Sequence, residues 1–341
     1  MPSSRTEPPT GSTGPHRLFI DTDAANEIDD QFALAWALLA PDRLEIEAIA
    51  AAPFGHGPYL TALLEAQGRR GDGPATPFEQ LALEVGEESA RGLTELAPPQ
   101  LGMERSYDEI KRVLDVAPIE HRPPVHRGAD RFMATPDDAV DSDAARALIE
   151  RAHASTDPLF VAVLGAPTNV ASALIIDPTI AAKVTVIFVA GYPSSSPHVD
   201  DSFNLLQDRH ASNRLLADDV DLIYIPGYQA ADTLSVTLPD LERHVAPFGP
   251  LGELLHQLYL DNPLAAAPLT PGHSWVMWDL APIAWLIDPT WVPTFDAARA
   301  RIGPDHHWEV SSGTMTEAFR VDRRSIYIDF YERLRAASAS T

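Results

Sequence analysis

One stretch constrains this chain more than any other: Asp21-Thr22-Asp23-Ala24-Ala25-Asn26-Glu27-Ile28-Asp29-Asp30. It places five acidic side chains, Asp21, Asp23, Glu27, Asp29 and Asp30, within ten positions. The apolar run Leu18-Phe19-Ile20 precedes it, and a helical pattern from Phe32 to Leu39 comes after. The acids therefore sit where a buried strand ends and a helix begins. In an open α/β sheet, ligands bind at that edge. Carboxylates crowded this closely repel one another unless a cation holds them. Oxygen ligands with no cysteine nearby favour a hard ion, Ca²⁺ ahead of Mg²⁺. Helix capping would account for Asp29 and Asp30, but not for all of the acids. An EF-hand loop fits poorly, because it would need Gly where Asn26 stands and Glu where Phe32 stands.

The rest of the chain reads as alternating strands and helices. A first helix is predicted over Asp29–Ala40, stopped by Pro41, and a second strand over Leu44–Ala52. Strand, helix, strand in this order implies a parallel βαβ unit with a right-handed crossover. The strand runs into Pro53-Phe54-Gly55-His56, which brings His56 beside the acidic cluster; a lone His in a turn is equally at home in solvent. A helix is predicted over Thr61–Arg70, then an insertion near residues 71–105 with a helical piece around Pro77–Gly92. Ser106-Tyr107-Asp108-Glu109 has the form of a capping box that opens a helix to about Val116. Ser142 caps a helix to about Ala154. Further buried strands are expected at Pro158–Leu164, Val184–Gly191 and Asp221–Gly227. Helices are expected at Leu238–Val245 and Leu251–Leu260, and short strands with a final helix near Ser325–Ala337 after Pro293. The fold class is α/β, a mostly parallel open sheet flanked by helices. Residues 1–16 read as a disordered tail and 17–341 as one domain.

Composition narrows the function. The chain has 341 residues, no cysteine and a formal net charge of −24. Thiol nucleophiles, disulfides and zinc–thiolate sites are excluded, and a nucleic-acid polymer would want a basic surface. No long apolar run spans a membrane, and the N-terminus lacks the apolar core of a signal peptide, so a cytoplasmic protein is expected. Lys111 and Lys183 are the two lysines, and Arg supplies the other positive charge.

Asp-Thr-Asp, then Asp-Asp, then a helix resembles the N-terminal signature of the inosine-uridine preferring nucleoside hydrolases, with a longer spacer, Ala24–Ile28, than is usual there. Other segments resemble that family in the same order. Pro124-Val125…Gly128-Ala129 is similar to its short strand and turn. Leu164-Gly165-Ala166-Pro167-Thr168-Asn169 is similar to its Gly-x-x-Thr-Asn segment, although Thr168 and Asn169 also suit ordinary helix capping. Phe203-Asn204 is similar to its Glu-Phe-Asn, with Ser202 in place of Glu and Asp200 or Asp201 as candidates to compensate. Trp278-Asp279 stands where the family has His-Asp, and Trp278 suits either base stacking or core packing.

The resemblance implies a nucleoside-hydrolase-like, Rossmann-like fold and hydrolysis of a ribonucleoside's N-glycosidic bond with Ca²⁺. It implies metal ligation by Asp23, Asp30, Asp279 and the Leu164 carbonyl, with Asp23 also the general base. Substrate contacts would come from Asp29, His56, Asn204 and Trp278. Partners would be a small nucleoside and further copies of the chain in a dimer or tetramer, with no nucleic-acid polymer and no membrane. The acid that protonates the leaving base is left open among His56, His198 and His273. Two alternatives compete. One is a nucleoside- or sugar-binding protein with weak or no catalysis, motivated by Ser202 and Trp278. The other is a haloacid-dehalogenase-type phosphohydrolase, since Asp21-Thr22-Asp23 also resembles its start; Ala24-Ala25 and the scarcity of lysine argue against it.

Overall fold

The computed structural model describes residues 14–55, 98–217, 219–262 and 274–339. Among them one large sheet is built from β1 (His16–Thr22), β2 (Leu44–Ala51), β3 (Val125–Arg127), β4 (Leu159–Val163), β5 (Val184–Ala190) and β6 (Asp221–Pro226). A separate ribbon pairs β7 (Ser235–Thr237) with β8 (Ser274–Val276). The last strands, β9 (Thr294–Ile302) and β10 (Trp308–Ala318), return to the large sheet. Its eight strands run in the order β3-β2-β1-β4-β5-β6-β10-β9. All neighbours in it pair in parallel except β9 and β10, which form an antiparallel hairpin at one edge.

The period-two rule of strands divides the core into two layers. In β1, Leu18 and Ile20 pack into one layer with Phe32, Trp36 and Phe330, and Phe19 packs into the other with Val161, Leu148 and Leu215. The first layer holds α1 (Asp29–Leu38), α2 (Pro99–Val116), α8 (Gly249–Asp261), α9 (Leu280–Ile287) and α10 (Arg323–Ala339). The second holds α3 (Asp143–His153), α4 (Thr168–Ile176) and α6 (Arg209–Ala217). Every residue of α1 is buried, which is why its sequence is apolar all round beyond its acidic first turn. The two remaining helices are α5 (Phe203–Leu206) and α7 (Leu238–His244).

Three expectations change. The helix placed at Ser106 begins at Pro99 instead, with proline at its first position, where its missing N–H costs nothing. Ser106 lies inside that helix, fully buried, and its hydroxyl donates to the carbonyls of Ala52 at 3.2 Å and Gly102 at 3.1 Å. Residues 99–105 are thus helix rather than the end of an insertion, and the segments Thr61–Arg70 and Pro77–Gly92 lie outside the described residues. The strands after Pro293 are long, nine and eleven residues, because they close the sheet as a hairpin. Thr168 and Asn169 do not cap α4 with their side chains. Thr168 donates to Asp208 Oδ2 at 2.8 Å and Asn169 Nδ2 to Asp21 Oδ1 at 2.8 Å.

The strand order fixes where a ligand can bind. From β1 the chain builds outward on one side through β2 and β3, then on the other through β4, β5 and β6. The order reverses between β1 and β4, and a crevice opens outside the carboxyl ends of strands at such a point.

Candidate active site

A pocket opens there, enclosing about 540 Å³ when the part open to solvent is counted, enough for a small organic molecule. Each lining segment comes from a strand end or the helix start after it. Asp23 follows β1, Asp29 and Asp30 open α1, and Leu164 follows β4. Gly191 follows β5, Tyr228 follows β6, Asn204 stands on α5, and Trp278 and Asp279 lead into α9.

Asp29, Asp30 and Asp279 are buried, and one carboxylate oxygen from each lies within 4.8 Å of the others. Asp30 accepts a hydrogen bond from the Thr22 hydroxyl, and its carboxyl is near enough to that of Asp279 to share a proton. The Asp279 backbone N–H donates to Asp29 Oδ2 at 3.3 Å. Burial, first, raises the proton affinity of all of these acids. Neighbouring carboxylates add to the rise at Asp23, Asp30 and Asp279. Asp29 rises least, to about 6, because backbone N–H groups bond its charged form, whereas Asp30 is pushed up to about 8. Neighbouring carboxylates are the charges that act on Asp30 and Asp279, and none of the three acids forms an ion pair with a cationic side chain among the described residues. Buried oxygen donors with no counter-charge fit a hard divalent cation, and these three residues could hold one.

Asp23 and Leu164 line the same pocket. Asp23 is held from below by Gly165: a Cβ built there would lie 2.7 Å from the Asp23 Cγ and 2.8 Å from its Oδ1. Only a residue without a side chain lets β4's end pass so close to this carboxylate. The Leu164 carbonyl accepts from Asn204 Nδ2 at 2.6 Å, and the same amide reaches the Val189 carbonyl at 3.2 Å. Asn204 is therefore fixed by its amide nitrogen, with its Oδ1 left for a ligand. Trp278 is half-buried in the lining, edge-on to Trp275 at 6.1 Å and 87°, and its buried Nε1–H has no partner among the described residues. His56 and His273 lie outside the described residues. His198 packs on Tyr192 at 5.2 Å and is not part of the lining. Asp200 does not compensate for Ser202: it is buried and accepts from Tyr192 N at 2.8 Å, Ser202 N at 3.1 Å and Trp308 Nε1 at 3.0 Å, which binds it to its own loop and to β10.

Two lining residues carry no role on sequence grounds. Tyr228 lines the pocket with its ring 4.7 Å from that of Tyr192; its place right after a buried strand is the available signal. Glu27 counts among the clustered acids but has no task in the resemblance, and it also lines the pocket.

A mostly parallel sheet with an acidic pocket at its switch point defines an open α/β architecture with a candidate ligand site, and comparison with known proteins narrows it. The structure is similar to a plant nucleoside hydrolase (TM-score 0.61, 21% identity, covering 94% of this chain and 99% of that one). It is also similar to a purine-preferring ribonucleoside hydrolase from Gardnerella vaginalis (TM-score 0.67, 17% identity, 95% and 100% covered). A third similar structure is an inosine-uridine preferring nucleoside hydrolase from Bacillus anthracis (TM-score 0.60, 13% identity, 94% and 99% covered). At these identities the likeness concerns the fold. No curated protein matches the sequence. The sequence profile of the inosine-uridine preferring nucleoside hydrolases matches residues 87–331. The chain belongs to that family and is, as a member, a hydrolase of N-glycosyl compounds.

Proposed function

We propose that this protein hydrolyses the N-glycosidic bond of ribonucleosides in a Ca²⁺-dependent reaction, releasing base and ribose. The observation that carries the reading is the buried acidic pocket at the β1/β4 switch point, in a chain of this family. Asp23, Asp30, Asp279 and the Leu164 carbonyl would hold the cation; the carboxylates gathered within reach of one ion are those of Asp29, Asp30 and Asp279, and Asp23 and Leu164 line the same pocket. When bound, the cation supplies positive charge and lowers the pKa of a water it holds.

The chain's own residues do the rest. Asp23 takes the proton of the attacking water as general base. Asp29 and the free Oδ1 of Asn204 accept from ribose hydroxyls, which fixes C1′ against that water. Carboxylates around the ring stabilise the positive charge that grows on it as the bond breaks. The Trp278 ring offers the departing base a stacking surface. A dimer or tetramer of this chain in the cytoplasm completes the proposal. The described residues contain no helix long and apolar enough to cross a membrane.

The test is base release from purine and pyrimidine ribonucleosides, with Ca²⁺ and with chelator, by wild type and Asp23→Asn. Asparagine keeps the size and one ligating oxygen but loses the basicity. Turnover should fall by roughly 10²–10⁴-fold while nucleoside affinity changes little. Equal turnover in both proteins removes Asp23 as the base. Binding without turnover in wild type establishes a nucleoside-binding protein instead.

A further inference from the structure

The pocket contains a carboxylate that the chemistry above does not use. Glu27 lies in the loop between β1 and α1, the segment that is longer than in the pattern this chain otherwise resembles. The loop is folded back on itself. Asn26 donates from its backbone N–H to the Asp23 carbonyl at 3.0 Å and from Nδ2 to Asp23 Oδ2 at 3.3 Å. Ala25 takes a φ of +78°, a conformation that costs a residue with a Cβ and persists where the surroundings enforce it.

A dedicated partner holds Glu27. Trp275 Nε1–H donates to Glu27 Oε2 at 3.2 Å. Trp275 stands on β8, in the small ribbon opposite Val236. That ribbon is tied to the body by Tyr327 Oη–H to the Leu234 carbonyl at 2.7 Å and by Arg323 to the Ser235 carbonyl at 2.7 Å. Two-stranded ribbons have little stability of their own, so these ties keep Trp275 in place. Oε1 has no partner among the described residues, and the charges acting on Glu27 are those of Asp29 and Asp30. A half-buried carboxyl with like charges at its back and one N–H on one oxygen destabilises the fold. A ligand group at Oε1 would offset that.

We propose that Glu27 is a specificity-determining residue that binds the primary, 5′, hydroxyl of the nucleoside sugar, with Trp275 as the residue that positions it. The inference rests on the nucleoside-hydrolase reading. A ribonucleoside presents a flat base, a vicinal diol and one primary hydroxyl. The base suits the rings of Trp278 and Tyr228. The diol suits the cluster of Asp29, Asp30 and Asp279, since adjacent oxygens can enter one cation's shell together. Glu27 lines the same pocket as both groups, close enough to Asp29 and Asp30 and to the Tyr228 hydroxyl to act on each electrostatically. The hydroxyl left over is the primary one. A hydroxyl both donates and accepts, so it pairs with this carboxyl with or without a proton, which the edge of a base does not do.

The experiment crosses enzyme with substrate. Wild type, Glu27→Ala, Glu27→Gln and Trp275→Phe are assayed on inosine and uridine and on their 5′-deoxy counterparts, with Ca²⁺ present. Affinities are measured by calorimetry, and folding is checked by thermal melting. Glu27→Ala should lower kcat/KM and affinity for the full nucleosides by roughly ten- to a hundredfold and leave the 5′-deoxy compounds nearly unchanged. Glu27→Gln should recover much of the loss. Trp275→Phe, which removes the N–H and keeps the ring, should show a smaller loss confined to the full nucleosides. Equal losses on both substrate sets, or no loss on either, overturn the proposal. If wild type binds nucleosides but turns none over, the hydrolase reading fails and the affinity ratio still decides Glu27. If it neither binds nor hydrolyses them, both fall.

Discussion

Gly165→Ala tests the placement of the general base without touching a reacting group. The added Cβ would lie 2.7 Å from the Asp23 Cγ, against the 3.4 Å where ordinary van der Waals contact begins. The two must separate by about 0.7 Å, the difference between those distances. β4 resists moving, because it is paired on both sides and buried along its length. Asp23, at the start of the loop to α1, yields instead. A displacement near 1 Å in a catalytic constellation costs about 10²-fold in rate. The same overpacking costs about 1–3 kcal/mol of stability, which a folded domain of this size tolerates.

Turnover of a ribonucleoside should therefore fall by roughly ten- to a hundredfold, with a smaller change in affinity and a protein that still melts cooperatively. Steady-state base release, calorimetric binding and thermal unfolding measure the three. Full activity in a folded Gly165→Ala protein would refute the reasoning, because it would mean that Asp23 can move without consequence. A protein that does not fold is answered by Gly165→Ser, where the same Cβ carries a hydroxyl able to donate to Asp23; failure of both variants would make Gly165 a folding residue.

The site sets two further outcomes. Asp30 is pushed from an ordinary value near 3.8 up to about 8, first by burial and then by Asp29. A carboxyl raised in the folded state stabilises below its unfolded pKa, and that stability is lost as pH rises through the folded value. The metal-free protein should then lose stability between about pH 4 and 8, and added Ca²⁺ should raise the melting temperature more at the upper end. Asp30→Asn should flatten both trends, and a Ca²⁺ shift independent of pH, or unaltered by Asp30→Asn, counts against the site. Trp278→Ala should weaken turnover more than folding, since aromatic stacking contributes about 0.5–1.5 kcal/mol beyond burial; full activity, or loss of the fold, would make Trp278 a packing residue.

Much of the sheet was legible because β1, β2, β4, β5 and β6 are short apolar runs punctuated by Gly, Pro and Asp, and each ended within a residue or two of its predicted limit. What failed had tertiary causes. Pro98-Pro99 reads as a break, yet proline suits the first turn of α2. The Ser106 signature matched a cap, but Ser106 faces the Ala52 carbonyl across the core. β9, rich in Ala and Arg, has little strand character of its own. Its Arg299 is buried and donates to the carbonyls of Leu216, Val220 and Thr314, contacts between segments far apart in sequence. The acids of the pocket were legible because each sits at a strand end or helix start. Tyr228 and the pairing of Glu27 with Trp275 were not, because nothing local to β6 or β8 says which loops meet.

The acids also show why such a site is visible in a sequence at all. Asp21, Asp23, Asp29, Asp30 and Asp279 are all buried, and burial alone raises the proton affinity of each before any neighbour is counted. Taken as elements of stability they are costly, since a buried charge without a partner destabilises and apolar replacements of similar volume are often neutral or better. Asp21 is a partial exception, with Asn169 bonding its Oδ1, yet its Oδ2 is buried and unpaired. The start of α1 favours acids at Asp29 and Asp30, but the surrounding layers are apolar and closely packed, and the folding of α1 and β1 does not call for the other acids. Folding selects Leu18, Phe19 and Ile20; only a cation and a polar ligand make sense of the carboxylates beyond them. The stretch that departs furthest from what stability would choose is therefore the one that declares the chemistry.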